Sequence, residues 1–320
     1  MKVLDFPSTE ESKIIAEKYG YDEFIIRRWL RFFGHETYEI VRAFERGVPK
    51  YIRVNTIKIE ERELIRRMEE RGFELVKTDV KYCYEVKKEL YSVGATPEFL
   101  MGYYYIMDKS SCIPPLVLDP KPGEIVVDLA ASPGGKTTFL SMLMRNRGVV
   151  IAVEPQKDRL QPLIDNIHRM GAMNVVVLNI DGRDIGKLNI KPNRILLDAP
   201  CTGEGIIHKD ATRKTDRGRK DVAFCSSLQR DLILAAYDCL EEGGFMVYST
   251  CSLTPEENEL VIDFLIDERG AEVVEIDYGC EALTSPLLGL KHSEKVRKAR
   301  RMYPHIHKCS GFFVAMLRKV

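Results

Sequence analysis

Two thiols and a carboxylate set the chemistry open to this chain. The apolar run Ile195-Leu196-Leu197 leads into Asp198-Ala199-Pro200-Cys201, and Phe245-Met246-Val247 leads into Tyr248-Ser249-Thr250-Cys251. Short apolar runs ending in turn residues read as buried strands. One loop-and-helix segment separates them, so a parallel sheet puts both thiols on its C-terminal edge, where α/β proteins bind ligands. The acid Asp198 stands just before the first thiol. This pattern predicts nucleophilic chemistry by cysteine, provided a cofactor pocket lies beside it.

The segment Asp128-Leu129-Ala130-Ala131-Ser132-Pro133-Gly134-Gly135-Lys136-Thr137 supplies a candidate pocket. A glycine-rich turn between strand and helix brings a ligand close to backbone amides. Gly135-Lys136-Thr137 matches the tail of a P-loop, but Ala130 occupies its first glycine position, and no G-x-G-x-x-G fingerprint is present. Acids end or follow the next strands: Glu154, Asp181 and Asp198. Each alone reads equally well as a cap of a turn or helix. Together they suit ribose hydroxyls and an adenine amino group, hence an adenosyl ligand without phosphates, S-adenosylmethionine.

The elements that must position these residues follow from periodicity. Residues 8–45 read as helical, with a cap at Ser8-Thr9, one face holding Ile25, Ile26, Trp29, Leu30 and Phe33, a stop at Gly34 and a second helix over 35–46. Strand 51–56, helix 60–71 and strands 73–78 and 82–86 predict a small α+β module of ferredoxin-like or RRM-like type. It lacks the aromatic signature of single-strand stacking. The proline-rich stretch 110–123 reads as an extended domain joint. Strands at 124–130, 149–153, 174–178, 194–199, 244–250, 271–276 and 311–318 alternate with helices at 136–145, 156–170, 227–242 and 255–268. The fold class is α/β, a Rossmann-like doubly wound sheet with a C-terminal β-hairpin carrying a long insertion, 277–310. Expected domains are 1–47, 48–112 and 113–320.

Composition narrows the function classes. A hydrophobic share of 45% beside a charged share of 30% describes a soluble globular protein. No run approaches the ~18 apolar residues of a membrane span, and the start lacks signal-peptide character, so a cytoplasmic location is expected by default. The eight cysteines form no C-x-x-C pair, which argues against a zinc ribbon and a disulfide framework. Basic residues concentrate in 209–220 and 291–301 despite a formal net charge of zero. If the partner is a nucleic acid, the first, next to Cys201, is expected to touch its phosphates; the second reads equally as such a contact or as a solvated helix. His305 and His307 alternate on an expected strand, without partners for a metal.

These motifs together resemble the Nop/Sun-type RNA (cytosine-5) methyltransferases. The matching strings are 128–137, Asp198-Ala199-Pro200-Cys201-Thr202-Gly203, Tyr248-Ser249-Thr250-Cys251-Ser252, Pro255-Glu256-Glu257-Asn258, Arg53-Val54-Asn55-Thr56 and Gly311-Phe312-Phe313. Ser132, Glu154 and Lys109 depart from the residues common at those places. By the resemblance, Ala130, Ala131, Ser132, Pro133, Gly134, Gly135, Lys136, Glu154, Arg159, Asp181 and Asp198 line the S-adenosylmethionine pocket. Cys251 is implied as nucleophile on carbon 6 of cytosine, Cys201 as the group releasing the product and Asp198 as the partner of the base edge. The Pro-Cys motif, as DNA methyltransferases use it, keeps the reverse assignment open. The helix after Cys251 is expected to favour its thiolate. The implied substrate is RNA, tRNA in preference to ribosomal RNA, acted on by a monomer without membrane or metal. The alternative class is a non-catalytic RNA-binding protein of the same fold.

Overall fold

The structure is a computed structural model describing residues 3–283 and 293–320. Three helices come first: α1 (Glu10–Tyr19), α2 (Glu23–Phe33) and α3 (Glu36–Arg46). The periodicity predicts one helix up to Gly34, but Gly20 adopts φ 70° and ends α1, and the Asp22 side chain caps the Phe24 amide to start α2. Ile25, Ile26 and Trp29 of α2 and Phe44 of α3 share a core with Ile207, Val222, Leu253 and Tyr303. The N-terminal helices therefore lie on the segments that follow the two cysteines.

A second layer contains β1 (Tyr51–Val54), α4 (Glu61–Glu70), β2 (Glu74–Lys77), β3 (Cys83–Lys88), α5 (Pro97–Leu100) and β4 (Tyr104–Ile106). Its sheet is antiparallel in the order β2-β3-β1-β4, the ferredoxin-like arrangement. The sequence reading omits β4, whose three residues are too few to show a period. Strand β1 alternates polar and apolar residues, yet all four are buried. Ile52 and Val54 pack with Leu64 and Met68 of α4, while Tyr51 joins a core of the larger sheet.

The proline-rich joint is partly helical, correcting the extended reading: α6 spans Ile113–Leu118 with its prolines in the first turn. Proline is tolerated there because those amides have no intrahelical acceptor. Beyond it run β5 (Ile125–Asp128), α7 (Gly135–Leu143), β6 (Val149–Val153), α8 (Leu160–Met170), β7 (Val175–Leu178), β8 (Arg194–Asp198), α9 (Arg219–Cys239), β9 (Phe245–Thr250) and α10 (Glu259–Arg269). Then follow β10 (Glu272–Val274), β11 (Cys280–Glu281), β12 (Arg300–Met302) and β13 (Phe312–Arg318). The sheet order is β11-β12-β13-β9-β8-β5-β6-β7, parallel from β9 to β7 and antiparallel at β13.

Both faces of the parallel strands are covered, which explains their continuous apolar runs. Ile195 and Leu197 pack under α9 and α10, while Leu196 faces the core with α6 and α7. Each such side chain contributes about 1.5–3 kcal/mol by leaving water. The final hairpin forms between β10 and β13, but β12 pairs with the other half of β13 and β11 with β12, so the insertion extends the sheet. Helix α9 starts at Arg219, eight residues before the expected start at 227. His305 and His307 sit in a helical turn, Pro304–His307, rather than on a strand. No group of His, Cys, Asp or Glu among the described residues could hold a metal ion. No helix in them is long and apolar enough to cross a membrane.

Candidate active site

Parallel pairing of β8 with β9 sets Asp198 opposite Ser249. The loops beyond bring the Cys201 and Cys251 sulfurs to 3.3 Å. Both thiols are half-buried. Backbone contacts fix the loops, with the Gly205 amide donating to the Cys251 carbonyl at 2.9 Å and the Gly311 amide to the Gly205 carbonyl at 2.9 Å. A Cβ on Gly205 would lie 2.0 Å from the Gly311 carbonyl oxygen, so this crossing requires glycine.

Asp198 accepts from Lys136 Nζ at 2.6 Å and from Ser249 Oγ at 2.7 Å. Burial works against the Lys136 ammonium, but Asp198 outweighs it and holds the amine above its usual range. The Cys201 and Cys251 sulfurs share a hydrogen bond. With the Lys136 and Arg213 charges, that bond holds Cys251 below the ordinary thiol range against burial and Asp198. The same bond, joined by burial, pushes Cys201 well up. The two thiols are thus chemically unequal, with the thiolate favoured on Cys251 over Cys201. Helix-end amides are not the cause: after Cys251 the amides of Glu257 and Asn258 are bonded to the Thr254 and Pro255 carbonyls.

The expected cofactor residues divide between two cavities that share Ala130. The larger, about 520 Å³, is walled by Glu154, Arg159 and Asp181 with Leu129, Pro200 and Phe224. The smaller, about 270 Å³, takes in Ala131, Ser132, Pro133, Gly135, Lys136 and Asp198, together with Tyr105 and Asp108. Gly134 lines neither; its φ of 99° turns the chain into α7. Ser132 Oγ donates to the Arg159 carbonyl at 2.9 Å, and Arg159 returns a bond to the Ser132 carbonyl at 3.0 Å. Asp181 also caps the Arg183 amide and pairs with its guanidinium, which holds its carboxyl below the usual range.

Asp128 ends β5 fully buried, with one oxygen bonded by Thr137 Oγ1 at 2.7 Å. Its other oxygen has no partner. Burial pushes this carboxyl up to about 6, above the ~3.9 of a free Asp. A folded-state pKa raised this way gives stability that is present below pH ~4 and lost as pH rises through 6. Asp128→Asn is expected to remove this pH dependence, about 3 kcal/mol in all and about 2 kcal/mol of it between pH 4.5 and 7.5. Urea unfolding at pH 4.5 and 7.5 checks this; an unchanged difference between wild type and variant contradicts it.

Arg53 was legible only as part of a family string, and the structure gives it a role. It is fully buried, donates to the Gly135 carbonyl at 2.7 Å and to Thr138 Oγ1 at 3.1 Å, and stacks over Phe139. Asn55 likewise donates to Met170 O at 2.7 Å. The ferredoxin-like sheet thereby grips the cofactor loop and α8. Lys109 lies away from both cavities, paired with Asp79 at 2.9 Å.

Several cations of the two basic segments are paired within the chain. Lys209 pairs with buried Asp108, Arg213 with Asp210 and the Thr202 carbonyl, and Lys214 with Glu45. Arg217 lies 3.8 Å from Asp221, and Arg219 3.8 Å from Asp5. In the second segment Lys291 lies outside the described residues, Arg300 pairs with Glu275, and Arg301 is fully buried against Glu259. Glu294–Lys298 of the second segment form a short helical turn with Lys295 and Arg297 exposed.

A doubly wound sheet with a glycine turn after its first strand and acids at the following strand ends is an α/β fold of the class that binds ligands at the C-terminal edge of its strands. The chain belongs to the 16S rRNA methyltransferase RsmB/F family, whose model matches residues 115–318. The ferredoxin-like domain of RsmF/B-like methyltransferases matches residues 21–87. A 28S rRNA (cytosine-C(5))-methyltransferase of Mus musculus is 36% identical over 96% of this chain and 40% of its own length. The chain thus spans less than half of that relative. A tRNA (cytosine(49)-C(5))-methyltransferase of Pyrococcus abyssi is 37% identical over 84% of this chain and 87% of its own length. The crystal structure of a methyltransferase homolog from Pyrococcus horikoshii superposes with TM-score 0.90 at 41% identity, covering 98% of this chain and 100% of that one.

Proposed function

We propose that this chain is an S-adenosylmethionine-dependent RNA (cytosine-5) methyltransferase that acts on tRNA as a monomer. The observation that carries the reading is the unequal thiol pair, 3.3 Å apart, beside the Lys136–Asp198 pair on the wall of a cavity. A non-catalytic RNA-binding protein has no use for a thiolate held this way. Domains at 1–47, 48–112 and 113–320 suit the reading, with the ferredoxin-like module on the RNA and the last carrying chemistry.

The larger cavity fits the donor. Its volume is that of a small-molecule site, with the carboxylates of Glu154 and Asp181 set among apolar walls. Gly182 keeps it open, since a Cβ there would meet Leu232 at 2.9 Å. Ala130 to Lys136, Glu154, Arg159, Asp181 and Asp198 would hold S-adenosylmethionine, which supplies a methyl group from a sulfonium.

The chain's own residues do the rest. Carbon 5 of cytosine is a weak nucleophile. Addition of the Cys251 thiolate at carbon 6 makes it enamine-like. Asp198, with Lys136 bonded to it, holds the polar edge of the base and balances charge as the ring is activated. Once Cys251 is bonded to carbon its negative charge is gone, and with it the largest cause holding Cys201 protonated. Cys201 then yields its proton to water and takes the carbon-5 proton, directly or through water, so that Cys251 leaves.

Ribosomal RNA is the second reading, favoured by the match of the mouse relative over 96% of this chain. The tRNA reading rests on the Pyrococcus abyssi relative, matched over most of both chains. Competition between tRNA and rRNA transcripts for methyl label from S-adenosylmethionine tests it. Label in tRNA is expected; label confined to rRNA selects the second reading, and label in neither contradicts both.

A further inference from the structure

Glu257 sits between the two thiol loops and is fully buried. Its carboxylate accepts from the Thr202 amide at 2.8 Å and from Thr202 Oγ1, the residue after Cys201. It also accepts from Ser252 Oγ at 2.9 Å, the residue after Cys251. Gln229 Nε2 donates to it at 3.1 Å and to the carbonyl of Pro200, the residue before Cys201, at 2.7 Å. Asn258 adds a bond to the Ser252 carbonyl at 2.9 Å. Thr202, Gln229, Ser252 and Asn258 are all buried as well.

No salt bridge to Glu257 occurs among the described residues, whereas its neighbours Glu256 and Glu259 are paired with Arg28 and Arg301. A buried carboxylate without a cation is costly unless hydrogen bonds satisfy it. Here every donor belongs to a loop flanking a thiol or to the side chain gripping one. Burial pushes the carboxyl up to about 7 against the bonds from Thr202 and Ser252, and those bonds fix where the loops stand relative to each other.

We propose that Glu257 is the positioning residue of the thiol pair, its carboxylate bridging the residue after Cys201 to the residue after Cys251 and so setting the distance between the sulfurs. The role rests on the reading of both thiols as working residues, but the geometry can be measured without any methyl transfer. Glu257 itself touches no substrate; it acts through the two cysteines.

The test uses diamide on the full chain, with the Cys201–Cys251 disulfide followed by peptide mass spectrometry. Diamide accepts two electrons and two protons, becoming the hydrazine, as the two thiols join. Glu257→Ala is expected to slow this disulfide at least tenfold and Ser252→Ala about threefold, while single-site alkylation of half-buried Cys280, which sits among Glu36 and Arg300, keeps its wild-type rate. Ser252→Ala removes only a hydroxyl and serves where Glu257→Ala fails to fold. Glu257→Gln, which retains an acceptor for the Thr202 amide, is expected to restore most of the rate. Wild-type disulfide rates in a folded Glu257→Ala, or in Ser252→Ala if the first is unfolded, overturn the proposal. Loss of methylation in the wild type leaves this result standing, so the two failures are distinguishable.

Discussion

Cys251→Ala is expected to lower methyl transfer to RNA by roughly four orders of magnitude or more, the scale of removing a nucleophile. Cys201→Ala is expected to stall the reaction instead, leaving a covalent RNA–protein species on denaturing gels. The asymmetry comes from the site. The bond between the thiols, with the Lys136 and Arg213 charges, lowers Cys251 and raises Cys201, so the thiolate is favoured on Cys251. A thiol cannot add to carbon 6 at a useful rate, so loss of Cys251 stops the first step. Loss of Cys201 leaves addition possible but removes the group that takes the carbon-5 proton. Denaturing electrophoresis of labelled RNA with each variant checks both outcomes. An adduct trapped by Cys251→Ala and none by Cys201→Ala reverses the assignment.

Arg301→Ala is expected to cost about 3–5 kcal/mol of stability, because it strands a buried carboxylate. Arg301 bonds both oxygens of Glu259 at 2.6 Å, and both side chains are fully buried. Its third contact, to the Leu253 carbonyl at 3.0 Å, ties β12 to the loop after Cys251. Replacing the pair together, Arg301→Met with Glu259→Leu, is expected to recover most of the loss, since neither charge is then left unpaired. Urea unfolding of the single and double variants measures this. Equal destabilisation in single and double variants would show that packing, not the stranded charge, carries the effect.

The thiols, Asp198 and the glycine loop were legible because parallel strands send their ends to one edge, and motif residues at strand ends therefore meet. The ferredoxin-like module was legible for the same local reason, except for β4, too short to show a period. Charge was the poorest guide. A basic run gives no sign of distant partners, so Arg301 looked like surface until β12 placed it against Glu259. Arg53 stood inside a quoted family string without a structural role, and both faces of its strand are covered. Glu257 stood inside a quoted motif without a role, as its partners Gln229 and Thr202 lie 28 and 55 residues away along the chain. Long-range hydrogen bonds of this kind leave no periodicity to read.

Bisulfite sequencing of tRNA incubated with the chain and S-adenosylmethionine tests the central claim most directly, because only 5-substituted cytosine resists conversion. A discrete cytosine, protected with the wild-type chain and converted with Cys251→Ala, is the result this account predicts. Uniform conversion of tRNA and rRNA cytosines alike, with a chain shown to be folded, would contradict it.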